Sequence, residues 1–122
     1  MSYNIEIQAL DDYVLLAVEG DDFELESWIS AVSRAVILCN EENKTKLLVK
    51  DLVQEDFSLH EMESLVNRLP ELGFNGLKVS IYVANPIRQF VNYFGEGIAS
   101  RKELNLKVFL NFDSAVSWLR ES

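Results

Sequence analysis

Lys78-Val-Ser-Ile-Tyr-Val-Ala84, followed directly by Asn85-Pro86, is the stretch that decides the fold. Its β-branched and aromatic run predicts a strand, and the Asn-Pro pair predicts a helix that starts at Pro86. Asn offers a side-chain oxygen to an unpaired backbone N–H, and Pro at the first helical position has no N–H to leave unsatisfied. The same order recurs downstream. Leu106-Lys-Val-Phe-Leu110 predicts a second strand, and Asp113 opens a last helix through Trp118 and Leu119. Strand and helix alternating in this way imply parallel strands joined by helical crossovers.

Upstream, Tyr3-Asn-Ile-Glu-Ile-Gln8 alternates with the period of a half-exposed strand. Asp11-Asp12 marks a turn, and Tyr13-Val-Leu-Leu-Ala-Val18 reads as a more buried strand, so the two form an antiparallel hairpin. Gly20-Asp21-Asp22 breaks it. From Glu24 the apolar residues Leu25, Trp28, Ile29, Val32, Ala35, Val36 and Cys39 fall at helical spacing and face a core. Leu47-Leu-Val49, ending near Asp51-Leu52, has the length of a central parallel strand. Ser58-Leu-His-Glu61 is a capping box, and Leu59, Met62, Leu65, Val66 and Leu69 continue that helix until Pro70 and Gly73 end it. The third helix places Ile87, Phe90, Val91, Phe94 and Ile98 on one face, with Phe90 and Phe94 expected in the core and Tyr93 pointing elsewhere. Gly95 and Gly97 within it invite fraying, a kink or close packing.

A chain of 122 residues without repeat or linker is expected to form one domain spanning 1–122. The single cysteine, Cys39, has no partner for an internal disulfide, which suits a reducing compartment. No apolar run approaches the ~20 residues of a membrane span, and the amino terminus lacks the basic start and apolar core of a signal peptide. The expected location is cytoplasmic. The net charge of −9 is lopsided: residues 1–63 hold 15 acids and 4 bases, residues 64–122 hold 5 acids and 7 bases. An acidic surface repels nucleic acid, whose binding runs on Lys and Arg neutralising phosphate. The asymmetry suits a basic partner or head-to-tail self-association, and also simple solubility.

The order β-β-α-β-α-β-α-β-α resembles the SpoIIAA-like superfamily, which includes STAS domains and the lipid-carrying CRAL-TRIO domains. The likeness is nearest to the small stand-alone bacterial SpoIIAA-like branch. It rests on the element order, on Tyr13-Val-Leu-Leu-Ala-Val-Glu-Gly20 and Leu47-Leu-Val-Lys-Asp51, and on the ending Val108-Phe-Leu-Asn-Phe-Asp-Ser-Ala-Val-Ser-Trp-Leu119. The resemblance implies an α/β SpoIIAA-like (STAS) fold, with a mixed, mostly parallel five-stranded sheet and about four helices. It also implies a non-enzymatic module that binds a partner protein. In anti-sigma-antagonist STAS domains a Ser at the start of the helix after the central strand is the phosphorylated switch, in a motif close to Asp-Ser-Ser-Gly. This chain has Asp56-Phe57-Ser58-Leu59-His60 there, so Ser58 sits near the switch position while the paired Ser and the Gly are absent.

Ligands of open parallel sheets gather beyond the carboxyl ends of the strands. Here that edge is expected to collect Asp21, Asp22, Asp51, Asp56, Ser58, His60 and Asn85, rich in carboxylates and poor in bases. Helix capping accounts for most of these acids without a ligand. Asp21, Asp22, Asp51 and Asp56 have the hard oxygens that Mg²⁺ or Ca²⁺ take, but no dedicated loop motif accompanies them, so no metal and no cofactor are expected. A lone His60 and a lone Cys39 do not make a zinc site, and no nucleophile motif accompanies His60, so no catalytic residue is assigned. Two readings remain: a module that acts through a protein partner or self-association at the acidic edge, and a carrier of a small apolar ligand in a crevice touching Phe90, Tyr93 and Phe94.

Overall fold

Ile5 and Ile7 turn one way and Glu6 and Gln8 the other, so the first strand can bury only one face, and it does so at a sheet margin. In the computed structural model, which describes residues 3–21, 24–54 and 58–121, strand β1 (Tyr3–Ala9) pairs antiparallel with β2 (Val14–Gly20), from Tyr3 opposite Gly20 to Ala9 opposite Val14. The Leu10 N–H donates to the Tyr13 carbonyl across the turn. Three parallel strands follow: β3 (Lys46–Val53), β4 (Lys78–Val83) and β5 (Asn105–Phe109). The sheet order is β1-β2-β3-β4-β5, and one row crosses four strands as Val14, Leu47, Val79 and Leu106.

The connections are helices α1 (Leu25–Glu41), α2 (Leu59–Arg68), α3 (Gln89–Arg101, entered through a 3₁₀ turn at Pro86–Arg88) and α4 (Phe112–Arg120). The first three cover one face. Their buried residues join Val14, Leu16, Leu47, Val49 and Val79 in the main core. Helix α4 covers part of the other face, where Ala115 and Leu119 close over Tyr13 and Leu48. Leu47 and Leu48 thus feed opposite cores, which is why the central strand reads as an unbroken apolar run. The fold is the five-stranded, four-helix α/β arrangement that the sequence predicts.

Strand β3 ends at Val53, one residue past the expected Asp51-Leu52, and pairs with β2 as far as Gly20 opposite Val53. Three expectations are corrected. The last helix is capped by Asn111, whose Oδ1 accepts the Ser114 N–H at 2.9 Å, and Asp113 lies inside its first turn. The third helix does not begin as an α-helix at Pro86, because the chain first makes the tighter 3₁₀ turn. Its inward face then falls at Arg88, Val91, Asn92, Gly95, Ile98 and Ala99, which leaves Phe90 at 71% exposure and Ile87 at 58%. Phe94 is half-buried at the margin of the core. Of the options open to Gly95, close packing is the outcome: a Cβ there would lie 2.7 Å from Met62 Sδ, whereas one at Gly97 would meet nothing within 4 Å.

Candidate functional site

Asp51 and Arg88 meet beneath the carboxyl edge of the sheet. Asp51 belongs to β3 and Arg88 ends the 3₁₀ turn, and they are 2% and 1% exposed. Arg88 Nε donates to both carboxylate oxygens at 3.0 Å, and Arg88 Nη2 donates to Oδ2 at 2.8 Å. The Val53 N–H reaches Oδ1 at 3.2 Å, and Asn92 Nδ2 reaches Oδ2 at 3.3 Å while also donating to the Arg88 carbonyl at 2.9 Å. Every contact is the kind a buried charge requires, since an unpaired carboxylate in an apolar interior is strongly disfavoured. The carboxylate is consumed by this clamp. Asp51 is therefore removed from the exposed acidic edge on which the sequence places it, because its side chain turns into the interior to meet Arg88.

The remaining edge residues are spread along the strand ends. Ser58 caps α2: its Oγ accepts the Glu61 N–H at 3.0 Å, and the Glu61 carboxylate accepts the Ser58 N–H at 3.2 Å. The capping box is complete, and Ser58 and His60 are both exposed. Asn85 Oδ1 accepts the Ile87 N–H at 3.1 Å, and its Nδ2 donates to the Gln54 carbonyl at 2.8 Å, so it caps the 3₁₀ turn and ties it to the end of β3. Asp21 is exposed at the end of β2, while Asp22 and Asp56 lie outside the described residues. Among the described residues no three His, Cys, Asp or Glu side chains come together as metal ligands.

The crevice of the carrier reading is differently lined. A cavity of about 60 Å³ lies between the sheet and the helices, walled by Trp28, Val49, Met62, Val66, Asn92 and Gly95 among others. Phe90, Tyr93 and Phe94 do not line it, and Tyr93, like Phe90, is exposed. The reason is the rotation of α3 that turns Arg88 and Asn92 inward. Small-molecule sites have volumes of roughly 300 to 1,000 Å³. This space is several-fold smaller than that.

Sequence reasoning missed the clamp. Its signals were one Asp closing an apolar strand and one Arg in an otherwise apolar helix start, opposite charges that both had to enter the interior. It also missed the exposed apolar surface that the same rotation creates, since Ile87, Phe90 and Phe94 at helical spacing read as core.

No family model and no curated protein matches the sequence. Among solved structures, the crystal structure of an anti-sigma factor antagonist from Mycobacterium paratuberculosis superposes with a TM-score of 0.67. The match covers 98% of this chain and 96% of the other at 14% identity. The chain therefore has the SpoIIAA-like, or STAS, fold over essentially its whole length. No helix among the described residues is long and apolar enough to cross a membrane.

Proposed function

We propose that this chain is a non-enzymatic, cytoplasmic regulatory module that works by binding a protein partner at the carboxyl edge of its sheet. The observation that carries the reading is the end-to-end fold likeness to an anti-sigma factor antagonist, a protein named for acting on another protein. Two features agree with it. Among the described residues the edge holds Asp21, Ser58 and His60 as exposed groups and half-buried Asn85 as a cap. Asp51 and Arg88 neutralise each other inside the fold. Ser58 stands at a helix N-terminus, where a phosphate would meet backbone N–H groups and a favourable dipole, opposed by the nearby Glu61.

The test is a photo-crosslinker placed at His60 in the full chain and activated in cells of the source organism. A discrete protein adduct, altered between Ser58→Ala and Ser58→Asp, is the expected result. Absence of any adduct from this edge would remove the reading. A carrier role is the second reading, and it requires the 60 Å³ cavity to expand several-fold around a ligand. Native mass spectrometry of gently purified protein decides it: a small adduct lost on denaturation supports the carrier, and bare protein rejects it.

A further inference from the structure

The face turned outward by the rotation of α3 has its own chemistry. Ile87 is 58% exposed, Phe90 71%, Tyr93 44% and, on α2, Leu59 41%. Helices α2 and α3 both start from the carboxyl edge of a parallel sheet and pack together, with Met62 and Val66 against Gly95. Leu59 lies one turn before Met62, and Ile87 and Phe90 lie one to two turns before Gly95, so the exposed apolar residues gather at the same end of the pair. Scattered single apolar residues on a surface are ordinary, but a group on adjoining helix ends marks an interaction surface.

Along these two helix starts the exposed charges have one sign. From Ser58 to Asn67 the acids are Glu61 and Glu63, with His60 as the only other titratable group. From Asn85 to Gly95 the only charged side chain is Arg88. That one cation is 1% exposed and paired with Asp51, so it contributes nothing to the outer field. Residues 1–63, which include the first turn of α2, carry the protein's acid excess.

We infer that the amino-terminal ends of α2 and α3 form a docking face for an amphipathic helix of a partner protein, one that presents apolar side chains flanked by Lys and Arg. Ile87, Phe90 and Phe94 stand at i, i+3 and i+7, the spacing of a ridge over which another helix packs. Phe90 is the anchor, since aromatic side chains dominate the energetics of such contacts. Glu63 selects the basic rim and speeds encounter, with Glu61 adding charge from the capping box behind it. This deepens the protein-binding reading above and rests on it: Leu59 lies beside Ser58 and His60, and the face extends that edge along α3.

The probe is a synthetic 14-residue Leu/Lys amphipathic helix, with a Leu/Glu helix of the same pattern as control. Both are titrated into the ¹⁵N-labelled full chain and followed by amide chemical shifts. Expected are saturable shifts at Leu59, Ile87, Phe90 and Tyr93 with the Lys peptide alone. Phe90→Glu should weaken binding at least tenfold, and Glu63→Lys, which leaves the capping box intact, should weaken it severalfold and begin to admit the Glu peptide. Phe90→Glu adds negative charge, so indiscriminate attraction of a cationic peptide would rise; only loss of an apolar anchor makes it fall. Phe90 is exposed, and an unchanged melting temperature verifies that the variant is folded. Shifts that map elsewhere, equal binding of both peptides, or binding indifferent to Phe90→Glu would overturn the inference. So would sedimentation showing a self-association that Phe90→Glu abolishes, because the occupant would then be a second copy. Loss of the crosslink at His60 with peptide binding intact would remove the edge reading and leave this face standing.

Discussion

Replacing Arg88 by methionine keeps much of the buried stem and deletes the charge, which isolates what the clamp contributes. The variant removes three short contacts to Asp51, at 3.0, 3.0 and 2.8 Å, and leaves the longer ones from Val53 and Asn92. Stranding one partner of a buried pair costs about 3–5 kcal/mol, and the two surviving donors place this case near 3. With a urea m-value of about 1.5 kcal/mol/M for a domain of this size, the unfolding midpoint falls by about 2 M. The melting temperature falls by about 12 °C at roughly 4 °C per kcal/mol. Asp51→Asn alone strands the guanidinium and should cost a similar amount, whereas the double variant Asp51→Asn/Arg88→Met should recover at least 2 kcal/mol of the summed loss, an estimate typical of directly contacting pairs. Urea unfolding of the four proteins completes the cycle. A loss below about 1 kcal/mol for Arg88→Met, or two losses that simply add, would refute the assignment of the pair as the fastening of α3.

Three further outcomes follow from particular contacts. Gly97→Ala fills open space on a helix and should stabilise by up to about 1 kcal/mol, whereas Gly95→Ala drives a methyl into Met62 and should lose about 1 kcal/mol, with melting temperatures moving in opposite directions. Ser58→Ala breaks the capping box and should cost about 1 kcal/mol by denaturant titration, while Ser58→Asp, an equally good cap, should melt like the parent and so serve as a clean mimic of phosphorylation. Burial pushes the Cys39 thiol from 9.0 up to about 11. The folded state then holds a proton that the unfolded chain releases first, so this contribution is intact below pH 9 and is lost as pH rises through 11, a slope that Cys39→Ala removes. In the native protein the same thiol should react with disulfide reagents only as fast as the fold opens.

The fold was legible because its local signals agree with one another. Alternation in β1, the continuous run in β3, the capping box at Ser58 and Asn85-Pro86 each specify a local geometry, and together they admit few topologies. The site was legible only in part. Ser58 and Asn85 cap as their types require, since a cap depends on neighbours close in sequence. Asp51 and Arg88 lie 37 positions apart, and whether a charge points in or out depends on a partner that periodicity does not register. The 3₁₀ turn compounds the difficulty, because three residues at a tighter pitch offset the helix that follows and exchange the roles of Phe90 and Arg88.

Among the described residues no further strand pairs beyond β5, and there Glu96 of α3 accepts the Val108 N–H at 2.6 Å. A backbone donor at a sheet margin invites a strand from another molecule, and the route from such pairing to fibrils is short. A carboxylate seated on that donor both occupies it and repels the carbonyl of any incoming chain. The same helix that packs on the sheet therefore also shields its margin. Glu96 carries a colloidal duty: it keeps the protein from polymerising through its own backbone.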